Sequence, residues 1–373
     1  MSGKVAELDY RVLHGAGVES LSEACEFLAT GQVLGTQILS RDDLSATAPF
    51  PLQAVCMTRL GDVSKASSGV AAWSAEAWLS GRDCRQGRVG GLSFSCDGQL
   101  LYGTLQVHAR DLPAGGVASP LQQATAAAYA QIFAVLAAEG YPHLWRVWNY
   151  LADINGTTDG LERYRQFNVG RHEAFEAHGR LQVEAVPAAC ALGTQDEEVA
   201  LSIAFLAARD MPRVIENPRQ VAAYEYPPTY GPRSPTFARA ALAQLPGQTL
   251  LFISGTASIV GHASVHPDDV QAQTRETLVN IQSLLDEASR VGPAALAWQL
   301  DDLSYRAYLR HAQDYAAVRE VLAATLGADT CVEFVQADIC RAELLVEIEA
   351  VGMLPLTEAS LPGASATRVR ADA

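Results

Sequence analysis

The chain has 373 residues, of which 49% are hydrophobic and 18% charged, a balance that fits a globular protein of two ordinary domains or one large one. Its net charge of −15 argues against a nucleic-acid backbone as partner, because phosphate binding depends on a basic surface; a small anion remains possible where a few arginines gather in one cleft. No apolar run reaches the roughly 20 residues of a membrane-spanning helix, and the opening MSGKVAELDYRVLHG lacks the apolar core of an export signal, so no membrane is expected and the cytoplasm is the expected compartment.

About the first hundred residues alternate turn-forming clusters with short strand-like runs such as LQAVCMTRLG (52–61) and QLLYGTLQVHA (99–109). From Pro120 the run LQQATAAAYAQIFAVLAAEG predicts a helix ended by Gly140. The next segment, HLWRVWNYLADIN (143–155), has apolar residues on every helical face and is read as a second, buried helix. That makes Arg146 and Asn149 informative, since a buried arginine needs an anionic partner. A polar segment, DGLERYRQFNVGRHEAFEAHG, separates it from two expected strands, LQVEAVPAACALG (181–193) and EVALSIAFLAA (198–208).

The loop YEYPPTYGPRSP (224–235) follows, with three tyrosines, four prolines and one arginine. QTLLFISGTASIVG (248–261) then reads as a buried strand running into a Gly-Thr-Ala turn. HPDDVQAQTRETLVNIQSLLDEASR is an amphipathic helix, with Val270, Thr274, Leu278, Ile281 and Leu285 at helical spacing. DLSYRAYLRH (302–311) is a strand, AQDYAAVREVLAATLG a helix, and TCVEFVQADI (330–339) and ELLVEIEAVG (343–352) the last two strands. Alternation of strands and helices in this half predicts an α/β sandwich with helices on one sheet face. Residues 362–373 form an expected disordered tail. The seven cysteines make no CxxC pair and are read as reduced thiols rather than as a disulfide framework or zinc site. His262 and His266 have no further ligand nearby in sequence, GTASIVG lacks a nucleotide-binding glycine pattern, and no GxSxG elbow is present.

AQTRETLVNIQSLLDEA and LLVEIEAVG resemble the helix and last strand of the RidA (YjgF) superfamily, small α/β proteins that trimerise around clefts between neighbours. The longer blocks LWRVWNYLADIN, NPRQVAAYEYPPTYGPRSPTFARA and LLFISGTASIVGHASVHPDDVQAQTRETLVNI together resemble the chorismatases, in which two RidA-like domains are fused in one chain. The match covers about Leu144 to Ile281, and ICRAELLVEIEA extends it to Ala350. The resemblance implies an α/β (α+β) fold of mixed sheets with helices packed on one face in a pseudo-trimer-like arrangement. It places an N-terminal unit at 1–180 and a C-terminal unit at 181–361 that carries most of the site. A monomer is expected, with a dimer or trimer as alternatives, and neither metal nor organic cofactor is implied.

The implied substrate is chorismate, a cyclohexadiene with a ring carboxylate, a C4 hydroxyl and an enolpyruvyl ether at C3. Pyruvate is one product. Hydrolases of the family add water and give a dihydroxycyclohexadiene carboxylate, 3-hydroxybenzoate synthases rearrange the ring hydroxyl without net water, and some members also release 4-hydroxybenzoate. Two carboxylates call for two cationic clamps, and arginine suits them through its planar fork. Arg233 in the PRSP turn and Arg310 at the end of YRAYLRH are the first candidates; Arg146 either joins them or holds one domain against the other.

The prolines of the 224–235 loop would preorganise Tyr224, Tyr230 and Arg233 toward a flat substrate, or else merely protect a sheet edge. Glu347 faces opposite to Val346 and Ile348, with Glu349 on its own side. By resemblance Glu347 is the general acid that protonates the enol ether methylene, and Glu349 is held in reserve. A cysteine at the position of Cys340 resembles the mark of the 3-hydroxybenzoate-forming members, where it would shape the pocket and exclude water. Gly255, Thr256 and Ala257 line the cleft by the same resemblance. An imine deaminase of RidA type and a non-catalytic ligand-binding module are the readings from other classes.

Overall fold

The fold places three sheets around one shared core, with helices on the outer faces of the second and third, and with Cys25 and Leu28, both helical, packed on the first. The computed structural model describes residues 8–16, 23–26, 28, 32–40, 48–61, 72–293 and 296–356. The tail expected at 362–373 lies outside the described residues.

The first sheet contains β1 (Leu8–Ala16), β2 (Val33–Ser40), β3 (Leu52–Cys56) and β5 (Ala72–Ser80) in the order β1-β5-β2-β3. A two-residue strand, β4 (Thr58–Arg59), leaves this sheet and pairs with the third. The second sheet is built from β6 (Arg85–Val89), β7 (Leu92–Cys96), β8 (Leu100–His108), β9 (His143–Ala152), β12 (Ala188–Thr194) and β13 (Val199–Ala208), ordered β12-β9-β13-β8-β7-β6. Helices α1 (Pro120–Glu139) and α2 (Arg163–Ala177) cover its outer face. Between β9 and α2 runs a small ladder of β10 (Thr157–Thr158) and β11 (Leu161–Glu162).

The third sheet, β14-β15-β16-β21-β19-β20-β4, draws on β14 (Arg213–Ile215), β15 (Ala240–Leu245), β16 (Gln248–Ala257), β19 (Leu303–Leu309), β20 (Val332–Gln336) and β21 (Val346–Pro355). Helices α3 (Val270–Val291) and α4 (Tyr315–Leu326) back it, and β17 (Ile259–Val260) pairs with β18 (Ala263–Ser264) in the turn before α3. Strands β12 and β13 pair with β9, so the boundary expected at residue 180 falls between α2 and two strands of the same sheet.

Local chemistry accounts for the helix limits. Ser119 accepts a hydrogen bond from the Gln122 amide, Pro120 opens α1, and Gly140 closes it at φ 76° in the left-handed region. Asp269 caps α3 through the Ala272 amide, and Thr274, Leu278, Ile281 and Leu285 are buried against the sheet as their spacing predicts.

Three expectations are corrected. Residues 143–152 are strand β9, not a helix. Leu144, Val147 and Leu151 pack under the helices while Trp145, Trp148 and Tyr150 fill the inter-sheet core, so a strand buried on both faces looks apolar all round. The polar segment after it contains α2, whose charged residues mask a buried side including Phe167 and Phe175. The Gly-Thr-Ala stretch belongs to β16, whose register against β21 shifts between Ile253 and Thr256, as at a β-bulge.

Ion pairs join the three sheets inside the core. Arg146 on β9 binds Glu349 on β21, and Arg306 on β19 binds both Glu76 on β5 and Glu349 (3.1 Å). Two arginines face two glutamates, so the buried charges balance. Arg146 therefore ties the second sheet to the third. Among the described residues no helix is long and apolar enough to cross a membrane.

Candidate active site

A cavity of about 580 Å³ opens between the start of α2, the tyrosine-proline loop, β16 and the turn leading into β21. Its lining includes Tyr164, Tyr226, Tyr230, Arg239, Gly255, Cys340, Arg341 and Glu347.

Glu347 lies on the face of β21 that alternation assigns to the inter-sheet space, opposite Val346 and Ile348 in the helix-backed core. It is 3% exposed, and burial, reinforced by the Glu349 charge, pushes its carboxyl up to about 8 against the opposing pull of Arg146 and Arg239. At neutral pH it carries a proton. Cys340 Sγ lies 3.9 Å from Glu347 Oε2, a long and weak contact. Burial first and the Glu347 charge second raise the Cys340 thiol far above its ordinary range, so it is a neutral wall rather than a nucleophile. Gly255 and Ala257 form the adjacent wall, and a β-carbon at Gly255 would stand 1.9 Å from Glu347 Oε1.

The cationic groups of the cavity are Arg239 and Arg341, with Arg165 also in the lining. Arg239, on the approach to β15, is 4% exposed; its guanidinium donates to the Tyr226 hydroxyl (2.7 Å) and the Val221 carbonyl (3.1 Å), while its Nε has no protein partner. Arg341 donates to the His262 carbonyl (2.9 Å) and Ser264 Oγ (3.1 Å), and its guanidinium lies 4.0 Å from the Tyr230 ring centre. Its Nη2 is buried without a partner. Both arginines thus retain donors for an anion.

The proline-bracketed loop holds this stack. Short 3-10 turns at Ala223–Glu225 and Pro228–Tyr230, with a Ser234 hydroxyl bond to the Tyr224 carbonyl (2.8 Å), fix its path. The Tyr226 and Tyr230 rings lie 5.3 Å apart, and the Tyr230 hydroxyl meets His262 Nδ1 at 3.2 Å. Tyr226 was missed in the sequence although it sits between the two tyrosines singled out there.

Of the expected residues, Glu347, Cys340, Tyr230, Gly255 and Ala257 converge on the cavity. Arg233 is exposed and lies outside the lining, although Pro235 two residues on belongs to it. Tyr224 also lies outside the lining, beside Glu216, whose charge together with burial raises its phenol to about 12. Arg310 is saturated by the Leu344, Ile339 and Arg341 carbonyls and by Asn155 and Asp338, so it braces the turn that presents Cys340 and Arg341. Arg146 is committed to Glu349, and Asn149 bonds Tyr129 and the Cys190 carbonyl behind the site. Thr256 is buried, with its hydroxyl on the Ser254 carbonyl. Arg239 and Arg341 were within the quoted motifs, but nothing in sequence spacing separates them from other arginines.

The family described as chorismatase FkbO/Hyg5-like, N-terminal, matches residues 76–207. A 3-hydroxybenzoate synthase of Streptomyces hygroscopicus is 37% identical over 289 residues, 75% of this chain and 81% of that protein. A chorismatase of Streptomyces rapamycinicus is 39% identical over 284 residues, 74% of this chain and 81% of that protein. The crystal structure of a chorismatase superposes with a TM-score of 0.77 at 32% identity, covering 94% of this chain and 100% of that one. With an acid, two arginines and an aromatic loop meeting in one cavity, and relatives this similar over most of its length, the chain belongs to the chorismatase family.

Proposed function

We infer that the protein converts chorismate to 3-hydroxybenzoate and pyruvate. The observation that carries this is Glu347, a carboxyl that keeps its proton at neutral pH at the wall of a cavity containing Arg239 and Arg341. A proton delivered from Glu347 to the enolpyruvyl methylene makes an oxocarbenium-like group, which weakens the bond from the ether oxygen to C3. Arg239 and Arg341 are suited to hold the two carboxylates and thereby orient the methylene toward the acid. As pyruvate leaves with the ether oxygen, the C4 hydroxyl oxygen bonds to C3, its bond to C4 then breaks, and the C3 proton lost on aromatisation restores the Glu347 carboxyl. The atoms balance without water.

The neutral Cys340 thiol beside Glu347 supports the synthase over the hydrolase, because it fills space next to the acid where an attacking water would stand. The seven free cysteines suit a reducing compartment such as the cytoplasm. The test is turnover of chorismate in oxygen-18 water with both products identified by mass. Unlabelled 3-hydroxybenzoate with pyruvate is expected. A dihydroxycyclohexadiene carboxylate, whether or not its ring carries the label, would make the protein a hydrolase, and absence of pyruvate would remove chorismate as substrate.

A further inference from the structure

Glu347 and Glu349 form a carboxyl pair in which the two members have opposite surroundings. They occupy alternate positions of β21, point into the same inter-sheet space and stand about 7 Å apart along the strand. Glu349 accepts from Arg146, from Arg306 (3.1 Å) and from the Tyr308 hydroxyl (2.8 Å), whereas among the described residues the hydrogen-bond partner of the Glu347 carboxyl is the distant Cys340 thiol. Glu349 is thus ion-paired with two arginines and bonded by a phenol, whereas the nearly donor-free, buried site favours a neutral acid at Glu347.

Building on the chorismate chemistry above, we propose that Glu349, held as a carboxylate by Arg146, Arg306 and Tyr308, is a positioning residue that keeps the catalytic proton on Glu347. Glu349 does not line the cavity, so it acts through its neighbour. The groups that face Glu347 are Glu349 on its own strand, Arg146 on β9, Cys190 on β12, Arg239 at the start of β15, Cys340 in the preceding turn, Tyr164 on α2 and Tyr308 on β19, its register partner. Cys190 and Gly255 stand between the cavity and the ion network, 3.3 Å apart when a β-carbon is placed on the glycine. Burial is the larger cause of the raised Glu347 carboxyl, the Glu349 charge comes next, and Arg146 opposes both. Removing Glu349's charge therefore makes Glu347 more acidic, and removing Arg146's charge makes it less so.

These opposite signs supply the test. In E349Q the alkaline limb of kcat/KM moves to lower pH by about one unit or more, and in R146M it moves to higher pH. Loss of packing alone would lower stability without moving the two limbs apart, so limbs that stay in place or shift together overturn the proposal. Wild-type protein with carbon-13 glutamate carboxyls gives a readout free of both folding and turnover, with E347Q identifying the Glu347 resonance. Titration of the Glu347 carboxyl near 8 is the expected result, and a Glu347 already ionised at pH 7 overturns it. If wild type fails to turn over chorismate but the carboxyl titration holds, the substrate assignment is wrong and the pair stands.

Discussion

Gly255 faces Glu347 so closely that a β-carbon on the glycine would fall 1.9 Å from the carboxyl oxygen Oε1 and 3.3 Å from Cys190 Cβ. The bulge in β16 thus brings bare backbone against the acid. Gly255→Ala is expected to displace the carboxyl and lower kcat by about 100-fold, with a smaller change in KM. Steady-state kinetics on the folded variant decide this; unchanged kcat would mean that the Glu347 rotamer is free to move.

Glu347 ties stability to pH as well as activity. Its ordinary value is 4.5 and its folded value about 8, so between these the folded state binds the proton more tightly than the unfolded chain. The stability contributed by the neutral carboxyl is complete below 4.5 and is lost as pH rises through 8. Glu347→Gln cannot ionise. It should gain on wild type with rising pH by on the order of a few kcal/mol, measured as denaturant midpoints at acidic and alkaline pH, while losing turnover by roughly 100-fold or more. Parallel stability curves would show that Glu347 ionises normally in the fold.

Arg239→Ala and Arg341→Ala are each expected to raise KM roughly 10- to 100-fold, the loss of a charge-assisted hydrogen bond to a carboxylate. Lysine should rescue poorly, because it lacks the planar fork. Arg233→Ala, on an exposed side chain outside the lining, should change KM by less than about threefold. Comparable KM increases at positions 233 and 239 would show that the loop closes further over the substrate than this structure does.

Cys340→Ala opens space beside the Glu347 carboxyl, 3.9 Å from the present sulfur. A share of the product should then appear as dihydroxycyclohexadiene carboxylate, with pyruvate release retained. An unchanged product would assign the exclusion of water to another wall, such as Ala257 or Ile259.

Elements with clear end signals or with two faces of different polarity were legible in the sequence: α1 with its Ser-Pro start and Gly stop, α3 with its apolar stripe, and β21 with glutamates alternating against Val346 and Ile348. The motifs around the tyrosine loop, Cys340 and Glu347 led to the family, and five of the expected residues meet in the cavity. Strand β9 was misread because burial on both faces erases the two-residue period. The choice among arginines was decided only by tertiary structure, since it depends on partners distant in sequence. Arg310 spends its donors on the 338–345 turn, Arg146 meets Glu349 across 203 positions, and Arg239 and Arg341 are the arginines of the described lining with a buried donor that no protein group accepts. Composition and pattern determine which faces are buried, but a charged group's role follows from what it is paired with, and pairing is a property of the assembled sheets.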